Sequence, residues 1–472
     1  MSTSVASPRR LLVVSNRLPQ PGAGAGGLVT ALEPVLRASR GLWLGWDGGH
    51  AQGWIPPPVD AGYELIPVSL REREVESYYH GFSNRTLWPL CHSFVDRLEI
   101  RHDFWLSYRR VNHRFADHVL AAAGPGDLVW VHDYHLTLLP AILRERGFGG
   151  AVCFFLHIPF PPYEILRLLP WREALLKGLL GADVVAFHTR SYCANFLECV
   201  RQVLACPVED GEVRFQGRRV RVRAAPISID TARFEGLGDS PATAQRLRRL
   251  GARLAGCQVM LGVDRLDYTK GIPERLSAFE RLLERYPQYH HRVVFIQIAV
   301  PSRTRVEQYR QLKRQIDEMV GRVNGRFCDG SWAPVRYIYR FVPHDDLVAY
   351  YALADVAVVT PLRDGLNLVA KEYAACHPEE GGVLVLSEFA GAAEELGGAL
   401  RVNPHDTDAV AEALHLALSM RAEEKQRRMA AMKRHLRQHD VSAWAAGLLA
   451  ELEGRPRRRS AEQALEQLVP LS

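Results

Sequence analysis

The chain has 472 residues, enough for two domains, and its 47% hydrophobic and 24% charged residues are typical of a soluble globular protein. The 59 Lys and Arg residues nearly balance the 53 Asp and Glu residues, which gives a net charge of +6. The basic residues form no long stripe along the sequence. This balance argues against a nucleic-acid partner and suits a site for anionic small molecules. The N-terminus lacks the apolar stretch of a signal peptide before its first predicted strand, and no apolar run approaches the length of a membrane span, so we expect a cytoplasmic protein without a membrane partner.

The cysteines and acidic residues indicate no metal site. The eight cysteines form no Cys-x-x-Cys pair, and several lie in apolar runs. They are typical of free thiols in a reducing compartment. No Asp-x-Asp pair is placed as a metal clamp after a predicted strand. We therefore expect neither a metal nor another cofactor.

Apolar runs alternate with helical patterns through the first half of the chain. The runs that predict strands are Leu11–Val14, Gly41–Trp46, Tyr63–Val68, Asp127–His132, Val152–His157 and Val184–His188. Polar residues cluster where these strands end, for example His132, Asp133 and His157. Ligands of open parallel sheets bind beyond the carboxyl ends of the strands, so a site is predicted there.

A glycine-rich loop follows the first strand. Gly22, Gly24 and Gly27 match the dinucleotide fingerprint Gly-x-Gly-x-x-Gly, and Asp47 follows at about the expected distance. The residues from Arg17 to Pro21 separate the strand from the first glycine, which makes the loop too long for a pyrophosphate turn. We interpret the loop as a flap whose backbone can approach a ligand closely. An NAD-dependent oxidoreductase stays open as an alternative.

The second half repeats the alternation. Its predicted strands are Val259–Val263, Arg292–Val300, Val335–Phe341, Asp355–Val359, Val383–Ser387 and Leu400–Asn403. We expect a helical stretch over Asp406–His439 and a last helix over about 442–452. Right-handed crossovers then predict an α/β protein of two doubly wound, Rossmann-like domains that face each other across a cleft. We assign residues 1–235 and 236–472 to these domains and expect the last helix to pack back on the first.

The predicted strand Asp355–Val359 leads into the segment Pro361–Glu372, in which Asp364 and Gly365 form a turn and a helix is predicted over Leu366–Cys376. The first N–H groups of a helix lack internal partners and lie at the positive end of its dipole, so this end can bind phosphate. Asp364 could hold a sugar hydroxyl, and Glu372 could accept hydrogen bonds from a ribose diol. The alternative is an N-cap Asp followed by a solvated helix Glu.

Arg265 and Lys270 follow one predicted strand of the same half, five residues apart. Two cations directed into a cleft can stabilise a departing diphosphate and can replace a metal ion in that role. The alternative is a pair of unrelated surface cations.

Several motifs occur together and in order along the chain. They are Ser15-Asn16-Arg17 with the later Gly26-Gly27, the run from Tyr78 to Pro89, His132-Asp133-Tyr134-His135-Leu136, the run from Phe155 to Pro161, the run from Arg265 to Gly271, the run from Thr360 to Glu372, and the run from Leu386 to Ala392. Because these motifs occur together and in this order, the chain resembles the trehalose-6-phosphate synthase family. That family consists of retaining glycosyltransferases of the GT-B fold that join glucose from UDP-glucose to glucose 6-phosphate.

The resemblance implies roles for individual residues. Those implied to bind the donor are Gly27, His157, Arg265, Lys270, Val342, Asp364, Gly365, Leu366, Asn367, Leu368, Val369 and Glu372. Those implied to bind the acceptor are Arg17, Tyr79, Trp88, Asp133 and Arg303. Arg265, Lys270, Asp364, His157 and Asp133 are implied to act in catalysis. Leu366 stands where a Met is common, and Ser228 where a Gly is common.

Simpler explanations exist for some of these residues. His157 could be a core histidine, Trp88 and Tyr79 could serve packing alone, and Asp133 could cap the helix that follows it. With the resemblance, we favour a retaining transfer in which the acceptor hydroxyl attacks the face from which UDP leaves.

Other functions stay open from the sequence alone. They are a related synthase with another acceptor, such as glucosylglycerol-phosphate synthase, and a catalytically silent sugar-phosphate sensor. UDP cannot be told from GDP or ADP as the donor nucleotide. A homodimer or homotetramer is compatible with the sequence.

Overall fold

The computed structural model describes residues 10–19, 27–48, 62–252, 254, 256–303, 306–378 and 381–453. Most of the predicted flap, including Gly22 and Gly24, lies outside the described residues. Among those described, no helix combines the length and the apolar composition that crossing a membrane requires.

The first half of the chain forms one nine-stranded sheet in the order β3-β2-β1-β4-β5-β6-β9-β8-β7. Apart from the polar end of β1, its strands β1 to β6 are mostly apolar and, except for β3, buried, as expected for a parallel sheet covered on both faces. At one edge of the sheet, β8 pairs antiparallel with both β7 and β9. The strands are β1 (Leu11–Arg17), β2 (Leu42–Trp46), β3 (Glu64–Val68), β4 (Leu128–His132), β5 (Ala151–Phe155), β6 (Val184–Phe187), β7 (Val208–Glu209), β8 (Glu212–Phe215) and β9 (Arg218–Ala224).

The second half forms a six-stranded sheet whose strands are all parallel, in the order β12-β11-β10-β13-β14-β15. The first six strands of each half, counted along the chain, have the order 3-2-1-4-5-6 of a doubly wound Rossmann fold. The strands are β10 (Gln258–Arg265), β11 (Val293–Val300), β12 (Val335–Ile338), β13 (Val356–Val359), β14 (Val383–Ser387) and β15 (Leu400–Val402). The predicted fold class is therefore confirmed.

Helices cover the sheets. They are α1 (Gly27–Ser39), α2 (Glu72–Glu74), α3 (Trp88–Cys91), α4 (His102–Ala122), α5 (Leu139–Glu145), α6 (Tyr163–Leu166), α7 (Arg172–Leu179), α8 (Arg190–Leu204), α9 (Thr231–Gly238), α10 (Pro241–Ala252), α11 (Ile272–Arg285), α12 (Glu307–Phe327), α13 (His344–Leu353), α14 (Leu368–Cys376), α15 (Thr407–Ser419), α16 (Ala422–Gln438) and α17 (Val441–Leu452). A π-helix, Val75–Leu87, precedes α3. Short 3₁₀ turns are Val95–Arg97, Tyr134–Leu136, Tyr268–Lys270, Pro287–Tyr289 and Gly391–Glu394.

Some predicted bounds are wrong. The helical stretch predicted over Asp406–His439 is two helices, α15 and α16. The strand predicted over Val335–Phe341 ends at Ile338. The helix expected directly after Asp133 begins only at Leu139, after a 3₁₀ turn. The predicted division between residues 235 and 236 lies within α9 and stays a prediction.

The last helix, α17, lies against the first sheet. The indole N–H of Trp444 donates to the carbonyl of Ala225 at 3.0 Å. Its ring lies 5.0 Å from that of Trp130 and 5.3 Å from that of Phe155, measured between centroids. Glu451 forms ion pairs at 3.4 Å with Arg221 and Arg223 on β9. The end of the second half is thus anchored on the first.

We expect Trp444→Ala to lower the free energy of unfolding by about 3–5 kcal/mol, because it removes a buried ring and leaves a cavity. Trp444→Phe keeps most of the packing and loses only the hydrogen bond, so it should cost about 1 kcal/mol. Denaturant titration measures both. Leu416→Ala, at a side chain that is 52% exposed, is the control. Equal effects of the alanine and phenylalanine variants would contradict the packing role of Trp444.

Candidate active site

The carboxyl ends of strands from both sheets carry most of the predicted site residues. In the first half these are Arg17 at the end of β1, Asp133 after β4 and His157 after β5. In the second half Arg265 ends β10, and Arg303 and Asp364 follow β11 and β13. This is where a doubly wound sheet binds ligands, so the fold brings the two sets towards one cleft.

Lys270 and Asp364 form an ion pair at the centre of this group. The ammonium nitrogen of Lys270 lies 2.6 Å from Oδ2 of Asp364, and the same oxygen accepts a hydrogen bond from the Asn367 amide at 3.1 Å. Burial raises the pKa of Asp364, but the charge and hydrogen bond of Lys270 outweigh it and hold the pKa below its ordinary value. Asp364 is therefore ionised, and Lys270 is a buried cation rather than a surface one.

A fully buried arginine holds the loop that carries Lys270. Arg275 on α11 is 1% exposed and pairs with Asp264 at 2.5 Å. Its guanidinium also donates to the hydroxyl of Thr360 at 3.0 Å and to the carbonyl of Lys270 at 3.2 Å. These bonds join β10, the end of β13 and the loop between β10 and α11. The position of Lys270 is therefore set by hydrogen bonds behind it.

The two halves touch backbone to backbone at Gly365. A Cβ atom at this glycine would lie 2.2 Å from the carbonyl oxygen of His157. A side chain is therefore impossible at Gly365 without moving the halves apart. Next to this contact, the Tyr192 hydroxyl of the first half donates to the Asp364 carbonyl at 3.1 Å. The geometry brings His157, Asp364 and Gly365 together, and the roles towards the donor that the resemblance implies for them stay predictions.

Asn367, and not Asp364, caps the helix that follows. Asn367 has a positive φ of 83°, and its side chain accepts from the N–H of Ala370 at 3.3 Å. Helix α14 accordingly begins at Leu368, two residues later than predicted. Leu368 and Val369 form its first turn and are half-buried. The interpretation of Asp364 as an N-cap is wrong, because its carboxylate is committed to Lys270.

Glu372 lies inside the second half and is not a solvated helix residue. Its Oε2 accepts from the hydroxyl of Tyr351 at 2.8 Å, and burial raises its pKa. Leu366 and Val342 are buried as well. The predicted roles of Glu372 and Val342 towards the nucleoside, and of Leu366 towards the donor glucose, stay predictions.

On the first half, Arg17 is exposed and lies over two aromatic rings. Its guanidinium carbon is 4.5 Å from the ring centroid of Trp46 and 5.0 Å from that of Tyr79. Tyr79 is held in the π-helix and stacks on His135, with 5.8 Å between centroids. π-Helical segments are often found at functional sites. Gly27, the first residue of α1, follows β1 on the same half.

Trp88 lies between two arginines of the second half. The guanidinium of Arg303 is 4.1 Å from its ring centroid and that of Arg265 is 5.5 Å away. The Arg303 side chain is 6% exposed, pairs with Asp267 at 3.0 Å and contacts the hydroxyl of Tyr309. Trp88 is therefore a cation–π platform as well as a packing residue. Arg303 is held by Asp267, whereas Arg265 is exposed.

Asp133 has an unusual backbone and an unusual carboxylate. Its φ is 76°, which non-glycine residues rarely adopt and which often marks a functional position. Oδ1 accepts from the N–H of His157 at 3.3 Å, and burial raises the pKa of Asp133 to about 6. The carboxylate therefore titrates close to neutral pH.

Sequence reasoning does not reveal how three further residues support the site. Arg275 and Asp267 position Lys270 and Arg303, and His132 is hydrogen-bonded to His157 at 3.0 Å. A signal for Arg275 exists, because it interrupts the apolar face of an amphipathic helix. His132 ends a predicted strand and Asp267 lies in one of the motifs, but their partners are distant in the chain and cannot be identified from the sequence. Within the described ranges, no group of three His, Cys, Asp or Glu side chains could hold a metal ion.

The profile of Glycosyltransferase family 20 matches residues 14–454. A bifunctional trehalose-6-phosphate synthase/phosphatase from Thermoproteus tenax is 45% identical, and the match covers 98% of this chain but only 66% of that protein. A UDP-forming α,α-trehalose-phosphate synthase from Burkholderia xenovorans, solved in complex with glucose 6-phosphate, has a TM-score of 0.90 and 38% identity over 94% of this chain and 100% of its own. A structure from E. coli bound with UDP-2-fluoro glucose has a TM-score of 0.88 and 38% identity over 94% and 99% of the two chains.

Two Rossmann-like domains whose strand ends share a cleft, together with these neighbours, define a glycosyltransferase of the GT-B fold. The chain belongs to glycosyltransferase family 20, the family of the trehalose-6-phosphate synthases. The resemblance inferred from the motifs is confirmed, and the oxidoreductase alternative is wrong.

We expect Gly365→Ala to destabilise the contact between the halves, because the added methyl would overlap the His157 carbonyl. The free energy of unfolding should fall by about 1–3 kcal/mol. A crystal structure should show the second half displaced from His157. Gly397→Ala, where a Cβ atom meets nothing within 4 Å, should change stability by less than about 0.5 kcal/mol. A Gly365→Ala structure in which the second half is not displaced from His157 would contradict the expected overlap.

We expect Asp133→Asn to stabilise the protein above pH 6 by about 1–3 kcal/mol. The folded-state pKa of Asp133 is raised to about 6, so its ionised form costs stability at pH 7 and this cost disappears as the pH falls towards 4. The gain should therefore be full at pH 7.5 and fall to less than about half of that value at pH 4.5, with unfolding measured at both values. Asp117→Asn, at an exposed carboxylate, is the control. A gain that does not depend on pH would show that burial of the charge is not its cause.

Proposed function

We propose that this chain transfers glucose from UDP-glucose to the 1-hydroxyl of glucose 6-phosphate with retention, which yields α,α-trehalose 6-phosphate and UDP. The observation that carries the proposal is the pairing of two site halves across one cleft. The second half contributes Lys270, Arg265 and a helix N-terminus, and the first contributes a cation over aromatic rings. Relatives of the same length and fold bind glucose 6-phosphate and UDP-2-fluoro glucose, which supports the two substrates.

The donor would bind mainly to the second half. Lys270 and Arg265 would neutralise the diphosphate, and the free N–H groups of Leu368 and Val369 would add hydrogen bonds at the positive end of α14. Glu372 would accept from the ribose, since Tyr351 engages only one of its oxygens. Backbone groups near Val342 would recognise the uracil, and the Gly27 backbone would approach the diphosphate from the first half.

The ion pair between Lys270 and Asp364 suggests how the resting site is kept in order. A diphosphate would attract the Lys270 ammonium and release the Asp364 carboxylate to bind a hydroxyl of the donor glucose. Asn367, Gly365, Leu366 and His157 would enclose the same sugar. The site therefore needs no isolated buried charge before the donor arrives, which avoids the cost of an unpaired ion.

The acceptor would bind between the halves. Arg17 and Tyr79 would hold its phosphate, and Arg303 would contribute a second positive charge from the opposite half. Trp88 would pack against the sugar ring between Arg265 and Arg303. Because Arg303 is paired with Asp267, its guanidinium is already oriented and loses little freedom on binding.

In the chemical step, the 1-oxygen of glucose 6-phosphate would attack the anomeric carbon on the face from which UDP departs. The bond from this carbon to the β-phosphate oxygen breaks, the new glycosidic bond forms, and the acceptor proton passes to the departing phosphate oxygen. Arg265 and Lys270 would stabilise the charge that develops on UDP. Asp133 would orient the acceptor, and the cleft would limit attack by water. The chain itself thus contributes positioning and fixed charges.

The first experiment is to measure UDP, GDP or ADP release from the corresponding nucleotide glucose, with and without glucose 6-phosphate, in EDTA. We expect release from UDP-glucose that requires glucose 6-phosphate and does not change with EDTA. Release that ignores glucose 6-phosphate would favour a related synthase with another acceptor. No release with any donor would favour a silent sugar-phosphate sensor. Loss of release in EDTA would overturn the proposed metal independence.

Arg265→Ala tests the role of the exposed cation. We expect kcat with UDP-glucose to fall by about 10²–10³-fold, because a fixed charge at the leaving group is lost. Arg233→Ala, which removes an exposed arginine in α9, should leave kcat unchanged. A kcat for Arg265→Ala near the wild-type value would remove this residue from the mechanism.

A further inference from the structure

Three histidines stand at the ends of neighbouring strands in the first sheet. His132 ends β4, His157 follows β5 and His188 follows β6. His132 and His188 are buried, whereas His157 is half-buried beside Gly365 of the second half. Only His157 carries a predicted role towards the donor sugar. The other two surround it and have no assigned function.

His132 and His157 are joined edge to edge by one hydrogen bond. Nδ1 of His132 lies 3.0 Å from Nε2 of His157, and the rings are inclined by only 24° with centroids 5.2 Å apart. Burial holds the pKa of each ring well below its ordinary value, so both imidazoles are neutral. A single proton therefore lies between the two nitrogens, and it belongs to one ring or the other.

The surroundings of His132 decide which ring holds this proton. Its second nitrogen, Nε2, is buried without a hydrogen-bond partner, and the ring is 0% exposed. If His157 donated, His132 would need its own proton on Nε2, which would be a buried N–H without an acceptor. If His132 donates, Nε2 is only an unused lone pair. Orphaned buried N–H groups are rare and costly, so His132 is the donor.

His188 contacts the backbone of His157. Nδ1 of His188 accepts from the N–H of Ile227 at 3.3 Å, so its proton is on Nε2. His188 also makes a hydrogen bond to the backbone of His157. The ring and the backbone of His157 are thus both held, and Nδ1 of His157 is left without a partner among the described residues.

We propose that His132 is a positioning residue that keeps His157 in the Nδ1–H tautomer, so that His157 donates a hydrogen bond to a hydroxyl oxygen of the donor sugar. This inference rests on the proposed function for the identity of the sugar, but the tautomer itself does not depend on it. A hydroxyl oxygen has lone pairs in every rotamer, so a fixed N–H donor suits it. The sugar hydroxyl is then free to donate to a carboxylate such as Asp364.

Nitrogen-detected NMR of the wild-type protein labelled with ¹⁵N-histidine tests the tautomer directly. The His157 signals are assigned by their loss in His157→Gln. We expect a protonated Nδ1 and an unprotonated Nε2 for His157. The opposite tautomer would overturn the inference, whether or not the protein turns over UDP-glucose. The NMR measurement therefore tests the tautomer, whereas the nucleotide-release assay tests the proposed function, and the two can fail independently.

Substitution of His132 tests its role in transfer. The amide nitrogen of His132→Asn can replace Nδ1 as a donor, whereas His132→Leu fills space without donating. We expect kcat/KM for UDP-glucose to fall about tenfold in His132→Leu and to stay within about threefold of wild type in His132→Asn. Inhibition by UDP alone should not change, because UDP lacks the sugar that His157 contacts. Equal losses in both variants, or weaker UDP inhibition, would overturn the inference.

A double variant separates positioning from a general structural effect. If His132 acts only through His157, then adding His132→Leu to His157→Leu should cause no further loss of kcat/KM. Additive losses would overturn the inference, because they would mean that His132 contributes without His157. Thermal unfolding of each variant, measured with and without UDP, shows that the compared proteins are folded.

Discussion

The close contact between Gly365 and the carbonyl of His157 is the constraint on which the site depends. The two halves of the chain meet here without any side chain between them, since a Cβ atom would lie 2.2 Å from the oxygen. The contact brings the loop after β13 to the end of β5. It also sets the distance between the loop that carries Asp364 in one half and the aromatic rings around Arg17 in the other. A site assembled from two domains works only if this separation is held closely.

Charges around this contact are arranged in pairs. Lys270 is paired with Asp364, Arg303 with Asp267, and Arg275 with Asp264 behind them. Each pair contains a group that would be costly to bury alone. Arg265 differs because it is exposed and lies over the ring of Trp88. The cleft therefore combines buried ion pairs with exposed cations, namely Arg265 and Arg17.

Some features were open to sequence reasoning, and others were not. Apolar runs such as Leu11–Val14 and Val383–Ser387 predict strands well, because a parallel sheet covered on both faces must be apolar throughout. Local turn chemistry predicts the loop at Asp364 and Gly365, but it does not show that Asn367 is the cap, because both residue types can cap a helix. The partners of Arg275, His132 and Asp267 depend on strands that lie far apart in the chain or on neighbouring elements, so composition and spacing do not reveal them.

The sequence by itself determined the fold class, the alternation of strands and helices, and the family, since these depend on local hydrophobic pattern and on motifs in a fixed order. Only the tertiary structure decided which polar groups face one another. It made Asp364 the partner of Lys270, enclosed Glu372 with Tyr351, and raised the pKa of Asp133 to about 6. The physical reason is that charge states and hydrogen-bond partners depend on burial and on distances through space. Those distances are set when two separate sheets come together, and no local stretch of the chain contains them.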